Sequence, residues 1–407
     1  MTALLELKVQ NFKSLKSVTV PLTPLTVLVG PNGSGKSNLL DVIQFLGDSV
    51  RADLRPAVDV RGGFDRVLFR GETALPSFRI EVKANVTQFS SVTAPDEYTL
   101  HVSRGTLRTR AETILQPGTP RHFLARRETF KFKRYAGRGR RITVQGGRAH
   151  IIDQKPSGEQ SSLRLGLQQE SLGLAALPRL SDKEGGTAIR ALAELFSTFR
   201  VFDVDVAAAR RPVAAAAPTY LEPDGSNLSG FLYSLAQSEP DVFDQLASDA
   251  KELVPGLREM VFEEVGGPTS AVAVSLIETG IGKTYLSEAS YGTIRTLALL
   301  ALLYDPHPPK LTCVEEIDHG LHPYAFDLLA ERLRDAARES QFLIATHSPA
   351  FVNRLKPDEL VVCERSADGS SRIPAISRRQ MRDIAEELEG DYGLGEVWFT
   401  GMLGGVP

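Results

Sequence analysis

The chain has 407 residues, which exceeds the usual size of one domain, so we expect two lobes or one core domain with large insertions. Hydrophobic residues make up 42% and charged residues 24%, ordinary values for a soluble globular protein, which argues against disorder. The formal net charge is −3, so the overall charge indicates no class of partner, and only a local patch could do so.

Neither a secretion signal nor a membrane span is predicted. The N-terminal residues lack the sustained apolar stretch and cleavage site of a signal peptide. The longest apolar run, LALLALLY at 297–304, favours a buried helix. Cys313 and Cys363 are the only cysteines, so we predict neither a disulfide framework nor a zinc cluster. We therefore expect a protein of the reducing cytoplasm without a membrane partner.

The first predicted elements surround a glycine-rich loop. Runs of β-forming residues at 4–12 and 18–29 lead into GPNGSGKS at 30–37, and helical spacing follows the loop. Small residues let backbone N–H groups turn towards phosphates, Lys36 reaches the terminal phosphates, and the Ser37 hydroxyl can hold Mg²⁺. The alternative is a glycine-rich turn with an exposed lysine. The predicted nucleotide-binding residues are Asn32, Gly33, Ser34, Gly35, Lys36, Ser37 and Asn38.

The middle of the chain changes character. Residues 76–153 contain short alternating runs bounded by Gly, Pro and Asp, which predict an antiparallel β subdomain. Residues 154–256 predict a connecting loop and a helical insertion, with an Ala- and Pro-rich linker at 207–228. Strands and helices alternate again from 258 onward, as in an α/β core.

A strongly basic segment lies within the predicted β subdomain. Between 104 and 148 there are thirteen Arg and Lys residues and two Glu residues, 13 − 2 = +11, with four aromatic residues interleaved. Such a patch can neutralise DNA phosphates in a salt-dependent way. The alternatives are solvated hairpin faces or an acidic protein partner. The basic residues are Arg104, Arg108, Arg110, Arg121, Arg126, Arg127, Lys131, Lys133, Arg134, Arg138, Arg140, Arg141 and Arg148; the aromatic ones are Phe123, Phe130, Phe132 and Tyr135.

A later helix begins with small residues. The segment 286–305, LSEASYGTIRTLALLALLYD, predicts an apolar helix whose start carries Ser290 and Gly292. Backbone N–H groups, a hydroxyl and the helix dipole at such an end can bind an anion. The alternative is an ordinary helix cap.

Two further strands end in polar residues. KLTCVEEIDHGLHP at 310–323 places Glu315 and Glu316 at the carboxyl end of a strand, where open α/β sheets bind ligands. We predict that Glu315 anchors Mg²⁺ and that Glu316 orients and deprotonates the attacking water. FLIATHSP at 342–349 places His347 after a second buried strand, where it can sense a terminal phosphate. Each residue alone could equally be structural.

The glycine-rich loop, the helix start with small residues, the carboxylate strand and the histidine strand follow one another along the chain. This order resembles that of the ABC-type ATPases. LLELKVQNFKSLKSVTV is similar to the N-terminal strand pair of the RecF/SMC/OLD-like branch, and EEIDHGLHP to its carboxylate motif and D-loop. The resemblance implies an α/β P-loop NTPase fold: an ABC-ATPase head with an antiparallel β subdomain and a helical insertion. It also makes SYGT at 290–293 the signature motif and His347 the switch histidine. Glu315 stands where many members have Asp, and SYGT is shorter than the full signature pattern.

The resemblance implies ATP and Mg²⁺ as cofactors and a homodimer in which Ser290 and Gly292 of one head complete the nucleotide site of the other. OLD-type proteins carry a Toprim nuclease domain after the histidine strand, and little beyond residues 377–407 follows that strand here, so we expect a stand-alone ATPase without that domain. The candidate Q-loop glutamines are Gln168 and Gln169. The expected segments are 1–75 and 257–376 for the ATPase core, 76–153 for the β subdomain, 154–256 for the insertion and 377–407 for a tail.

The resulting hypothesis is an ATPase whose ATP-dependent head pairing controls DNA repair or defence against foreign DNA. The alternative is a nucleotide-gated scaffold that holds a separately encoded effector, such as a nuclease, without touching DNA. A transporter subunit is disfavoured by the RecF-like N-terminus and the large insertions.

Overall fold

The computed structural model describes residues 3–71, 76–107, 121–134, 139–153, 160–164, 167–168, 170–214, 218, 220–265, 271–387 and 393–403. The strands are β1 Ala3–Phe12, β2 Leu15–Pro21, β3 Leu25–Val29, β4 Ser77–Asn85, β5 Asp96–Leu107, β6 Arg121–Phe132, β7 Arg140–Gln145, β8 Arg148–Asp153, β9 Gln160–Arg164, β10 Arg200–Phe202, β11 Val213–Ala214, β12 Leu257–Val265, β13 Ala271–Glu278, β14 Gly282–Tyr285, β15 Leu311–Val314, β16 Gln341–Thr346, β17 Leu360–Val362, β18 Glu364–Arg365 and β19 Ser371–Arg372.

The α-helices are α1 Lys36–Ala52, α2 Leu54–Asp59, α3 Phe64–Val67, α4 Gly173–Ala176, α5 Gly186–Ser197, α6 Val206–Ala209, α7 Leu228–Ser238, α8 Pro240–Leu253, α9 Tyr291–Leu303, α10 Phe326–Ala336, α11 Pro349–Val352, α12 Arg378–Glu387 and α13 Leu394–Phe399. Short 3₁₀ turns lie at Leu177–Arg179, Asp182–Glu184, Leu286–Glu288, Pro323–Ala325 and Pro357–Glu359.

An antiparallel sheet forms one layer of the molecule. Its strand order is β2-β1-β4-β5-β6-β7-β8-β9. The sequence predicted strands at 4–12 and 18–29 and an antiparallel unit at 76–153. The structure instead divides 18–29 between β2 in this sheet and β3 in another, because the chain turns between Pro21 and Leu25. The division of the chain into segments remains a prediction. The antiparallel sheet extends beyond the predicted segment 76–153, because β1, β2 and β9 also belong to this sheet.

A parallel sheet with the order β10-β15-β16-β3-β17 forms the α/β core. Every residue of β3, β15 and β16 is buried, which fits strands covered on both faces. Helix α1 lies between this sheet and the antiparallel layer. Phe45 of α1 packs against Phe12 and Phe78 of that layer, with ring centroids 5.7 and 5.6 Å apart. This contact holds α1, the helix that follows the glycine-rich loop, against the antiparallel sheet.

The segment after the helical insertion differs from the expected return to alternating α/β structure. Strands β12, β13 and β14 are consecutive antiparallel neighbours, and β11 pairs with β13. They form a small separate sheet that packs with α7 and α8 before α9 begins. The alternation resumes only at α9, β15, α10 and β16.

Helix α9 confirms the predicted buried helix. All residues from Ile294 to Leu302 are buried, and the apolar ones among them belong to the second of two hydrophobic cores. Among the described residues, no helix combines the length and apolar character needed to cross a bilayer.

Candidate active site

Three parallel strands bring the predicted motifs to one edge of the core sheet. Strand β16 lies between β3 and β15, and all three run in the same direction. The glycine-rich loop follows Val29, Glu315 follows Val314, and His347 follows Thr346. Because parallel strands share their carboxyl edge, the loop, the carboxylates and the histidine lie on the same side of the sheet.

The backbone of the glycine-rich loop, residues 30–35, is tightly constrained. Gly33 and Gly35 have φ values of 78° and 104°, in the region that favours glycine. A Cβ atom at Gly30 would collide with the carbonyl oxygen of Cys363, and one at Gly35 would collide with Ser371 Oγ. Glycine is therefore required at positions 30 and 35, because the loop packs closely against the segment after β17.

The loop carries polar groups suited to an anion. Lys36 Nζ donates to the carbonyl oxygens of Gly30 and Pro31, at 2.6 and 3.0 Å. Burial lowers the pKa of the Lys36 ammonium, and nearby carboxylates partly oppose this shift. Ser34 Oγ is buried and has no hydrogen-bond partner in the described part of the chain. An unpaired buried hydroxyl and a partly desolvated ammonium fit a phosphate group.

Ser37 and Glu315 meet at the start of α1. Ser37 Oγ donates to Glu315 Oε2 at 3.4 Å, so the two predicted Mg²⁺ ligands are neighbours. Burial raises the pKa of the Glu315 carboxyl, the negative charge of Asp203 raises it further, and the hydrogen bond from Ser37 opposes the shift. Asp203 follows the edge strand β10, and sequence reasoning missed it because no motif surrounds it. A hydroxyl and carboxylates are oxygen ligands of the kind Mg²⁺ prefers.

Glu316 is exposed and has φ 45°, an uncommon value for a residue with a side chain. Arg295 of α9 supports this conformation, because its Nη2 donates to the carbonyl oxygens of Glu315 and Glu316, at 3.0 and 2.7 Å. Arg295 is only 3% exposed. The sequence analysis did not single it out, since one arginine in an apolar helix carries no motif.

The end of strand β16, which precedes His347, is hydrogen-bonded to the loop that carries the two glutamates. Thr346 Oγ1 donates to Asp318 Oδ1, which ties the end of β16 to the loop after β15. His347 itself is exposed and directly follows this threonine. Its imidazole therefore faces solvent at the edge where Glu316 is also exposed.

The predicted signature motif lies at the start of α9. Ser290 caps the helix, with Oγ accepting from the Thr293 N–H at 3.1 Å. A Cβ atom at Gly292 would lie 2.6 Å from the carbonyl oxygen of Gly320, so only glycine fits there. Within the described residues, no hydrogen bond joins Ser290 or Gly292 to the glycine-rich loop of the same chain.

A cavity of about 400 Å³ lies near the glycine-rich loop, because its lining residues Arg365 and Ser14 approach Gly33 and Gly35. Its lining includes Lys13, Ser14, Phe69, Arg70 and Arg365. Ser14 Oγ accepts a hydrogen bond from Asn38 Nδ2 at 2.7 Å, which connects the cavity to α1. The lining of the cavity combines cationic and aromatic side chains with one carboxylate, Asp368. Sequence reasoning did not find it, because its residues come from distant segments.

The structure corrects the prediction for two residues of the basic patch. Arg126 and Arg140 are 3% and 6% exposed, so they face the interior rather than a ligand. Arg126 is buried because it pairs with Glu128 at 3.1 Å and donates to the carbonyl oxygen of Ser171. Lys131 pairs with Glu97 at 2.5 Å. The side chains of Arg108, Arg110, Arg121, Tyr135 and Arg138 lie outside the described part of the structure, as does Gln169; Gln168 is exposed.

Comparisons with known proteins match both halves of the chain. A family described as "AAA ATPase domain" matches residues 3–97, and one described as "AAA domain, putative AbiEii toxin, Type IV TA system" matches residues 159–353. An OLD nuclease of Thermus scotoductus is 34% identical over 97 residues, covering 20% of this chain and 18% of that protein. The structural maintenance of chromosomes protein 1 of Arabidopsis thaliana is 49% identical over 45 residues, covering 11% of this chain and 4% of that protein.

A solved structure shows the same fold. The SmcHead bound to the C-winged helix domain of ScpA has a TM-score of 0.52 and 15% sequence identity, and the match covers 94% of this chain and 99% of that one. The predicted α/β P-loop fold and the predicted resemblance to ABC-type ATPases of the RecF/SMC/OLD-like branch are both confirmed. The chain spans less than a fifth of the length of either curated relative.

Proposed function

We propose that this protein binds ATP with Mg²⁺ and hydrolyses it, and that ATP-dependent pairing of two chains controls a DNA-related process in repair or in defence against foreign DNA. The observation that carries the proposal is the contact of Ser37 with Glu315, at 3.4 Å, beside the glycine-rich loop. It joins the phosphate-binding residues and the carboxylates at one edge of the core sheet.

Each residue has a distinct role in this proposal. Backbone N–H groups of Asn32, Gly33, Ser34, Gly35 and Asn38 bind the phosphates, as expected of a phosphate loop. Lys36 contacts the terminal phosphates. Ser37 and Glu315 would hold Mg²⁺, which would supply positive charge to stabilise the phosphate oxygens. The cavity beside Ser14 and Phe69 takes the nucleoside part.

Glu316 is the general base. Its carboxylate is exposed at the edge where the γ-phosphate end of a nucleotide on the loop would face, so it can orient a water molecule and accept its proton. His347, exposed at the same edge, contacts the γ-phosphate or the attacking water and so distinguishes ATP from ADP.

Pairing follows from the position of the signature motif. Among the described residues, Ser290 and Gly292 form a helix N-terminus without a hydrogen bond to the loop of their own chain, and such an end favours an anion. In the proposed homodimer, they bind the γ-phosphate held by the other chain. A single chain is therefore a poor ATPase.

A second candidate function is a nucleotide-gated scaffold for a separately encoded effector, such as a nuclease, with slow turnover and no DNA contact. The SmcHead structure, which contains a partner domain bound to the same fold, favours this candidate. Both candidates are placed in the cytoplasm, in keeping with two free buried cysteines, Cys313 and Cys363.

The test is ATP hydrolysis measured as a function of protein concentration. Pairing predicts that the rate per chain rises with concentration and that Glu316→Gln abolishes it while nucleotide binding remains. A rate per chain that is independent of concentration and unchanged in Glu316→Gln contradicts both the pairing and the general base. If hydrolysis behaves as predicted but DNA neither binds nor changes the rate, the scaffold is favoured.

A further inference from the structure

The outer face of the antiparallel sheet carries two very different rows of side chains. In antiparallel strands, residues directly opposite each other point to the same face. One row, named here the cationic row, crosses five strands from β4 to β8. It consists of Arg79, His101, Arg127, Gln145 and Arg148.

A second row on the same face provides an internal comparison. It lies four residues along each of β4 to β7 and consists of Lys83, Glu97, Lys131 and Arg141, here named the charge-paired row. Lys83 pairs with Glu6 at 2.9 Å, and Lys131 pairs with Glu97 at 2.5 Å. Opposite charges across strands stabilise a sheet, so the charges of Lys83 and Lys131 are compensated without a ligand.

The cationic row lacks such compensation. Arg127 and Arg148 are exposed, and neither forms an ion pair or side-chain hydrogen bond among the described residues. Arg79 has one carboxylate neighbour, Glu81, at 3.1 Å. The row therefore presents three guanidinium groups, of which only Arg79 has a carboxylate partner in the described structure, and this excess of positive charge favours binding of an anion.

Two cavities follow the cationic row. One, of about 350 Å³, is lined by Arg79, Thr99, His101, Arg127, Thr129 and Arg141. The other, of about 480 Å³, is lined by residues that include His101, Phe123, Arg127 and Gln145. His101 and Arg127 line both cavities, so the two cavities are neighbours along the cationic row, and together they are called the groove below. Guanidinium and hydroxyl donors of this kind bind phosphate oxygens.

Phe123 adds an aromatic surface to the groove. Its ring covers Gly105 of β5, where any Cβ atom would collide with the ring. Phe123 is half-buried and lies on the outer face, two strand positions before Ala125 and four before Arg127. Aromatic rings on sheet surfaces stack unpaired bases, whereas the bases of a duplex are already stacked on one another.

We propose that the cationic row and Phe123 form a binding surface for single-stranded nucleic acid, with phosphates on Arg79, Arg127 and Arg148 and a base on Phe123. Neighbouring strands lie about 4.8 Å apart, so a row across five strands extends about 19 Å and accommodates several phosphates. This inference rests on the DNA-related role proposed above, but it does not depend on ATP or on pairing.

The test measures binding of the nucleotide-free protein to a labelled oligothymidylate, a duplex of equal length and sodium tripolyphosphate over a range of salt concentrations. We expect the single strand to bind more tightly than the duplex. Arg127→Gln/Arg148→Gln should reduce the salt slope, the change of log K with log salt concentration, by about 1.4, because each phosphate contact in a single strand contributes about 0.7. Phe123→Leu should weaken single-strand binding about fivefold or more with an unchanged slope.

The matched control is Lys83→Gln/Lys131→Gln, which removes two charges from the same face but from the charge-paired row. It should change affinity less than twofold. The proposal is overturned if this control weakens binding as much as Arg127→Gln/Arg148→Gln, since only total charge would then matter. It is also overturned if Phe123→Leu binds like the parent or the duplex binds as tightly as the single strand. Binding of tripolyphosphate alone would identify a site for small polyphosphates instead.

The nucleic-acid binding test and the ATP hydrolysis test can fail independently of each other. Loss of the concentration-dependent hydrolysis described above would leave these nucleotide-free binding results unaffected. Failure of single-strand binding with intact hydrolysis would remove only this inference.

Discussion

Arg295 in the signature helix α9 donates a hydrogen bond to the backbone carbonyl of Glu316, at 2.7 Å. Glu316 has φ 45°, so its backbone is held in a sparsely populated conformation by surrounding contacts. The same guanidinium binds the Glu315 carbonyl. A helix proposed to contact the partner chain's nucleotide is thus joined directly to the proposed general base.

Replacing Arg295 with Met should lower kcat by about 100-fold, because a displacement of the general base by about 1 Å has effects of that size. Nucleotide affinity should change little, since Arg295 does not reach the glycine-rich loop in the described structure. The measurement is steady-state hydrolysis together with nucleotide titration. Arg338→Met, at an exposed arginine, is the control. An unchanged kcat would show that Arg295 does not position Glu316.

Replacing Lys36 with Met should weaken ATP binding by tenfold or more, because a charge-assisted hydrogen bond contributes about 1.5–3 kcal/mol. Fluorescent-nucleotide titration measures the effect. Lys356→Met removes an exposed lysine outside the site and should bind ATP as the parent does. Equal affinity in both variants would argue against the phosphate loop as the nucleotide site.

Glu315→Gln should raise the Mg²⁺ concentration for half-maximal hydrolysis about tenfold, because a neutral amide is a weaker ligand than a carboxylate. Glu315→Asp should remain within a few-fold of the parent, since it keeps the charge with one methylene fewer. A Mg²⁺ titration of hydrolysis checks both variants. Glu386→Gln, a change on the surface of α12, serves as the control. The same Mg²⁺ dependence in Glu315→Gln and the parent would exclude Glu315 as a ligand.

His101 should make single-strand binding pH-dependent. Burial lowers its pKa, as do the positive charges of Arg79 on β4 and Arg127 on β6, so the free imidazole is neutral at pH 7. Arg141 of β7 also lines its cavity. A bound phosphate favours the protonated form, so binding takes up a proton and affinity should rise as the pH falls from neutrality towards the lowered pKa of His101.

His101→Gln should remove this pH-dependent gain, whereas His150→Gln, at an exposed histidine on the neighbouring strand β8, should retain it. Anisotropy titrations across the pH range compare the three proteins. An equal gain in parent and His101→Gln would assign the titration to another group.

Glu128 should be essential for the stability of the antiparallel layer. It pairs with Arg126 at 3.1 Å and accepts hydrogen bonds from the N–H groups of Gly173 and Leu174, at 2.6 and 3.1 Å. Glu128→Gln leaves a buried guanidinium without its counterion, so the free energy of unfolding should fall by about 3 kcal/mol or more in urea titrations. Glu97→Gln breaks an exposed pair and should cost less than about 1 kcal/mol. Equal effects would contradict the buried-pair assignment.

Features that are encoded in short local patterns could be predicted from the sequence. The glycine-rich loop, Glu315 and His347 were predictable because each follows a short apolar run of strand type, and parallel strands bring their carboxyl ends together. The burial of Arg126 was also accessible in principle. It shares the alternation of Leu124, Glu128 and Phe130, which marks the inward face of β6.

Other features depend on contacts between distant segments. The cationic row exists only because β4 to β8 pair in one register, and a shift of one residue in any strand would move its members to the other face. Arg295 gains its role from packing of α9 under the strand end at Glu316. Neither the pairing register nor this helix–strand contact is encoded in a local motif.

The most direct test of the central claim is the solution mass of Glu316→Gln, measured by light scattering with and without Mg-ATP. The variant keeps the phosphate loop and both proposed Mg²⁺ ligands, so it should trap the nucleotide-bound pair. The account predicts a mass near 44.4 kDa without nucleotide and twice that value with Mg-ATP. A mass that stays at one chain although the same sample binds ATP would contradict ATP-dependent pairing.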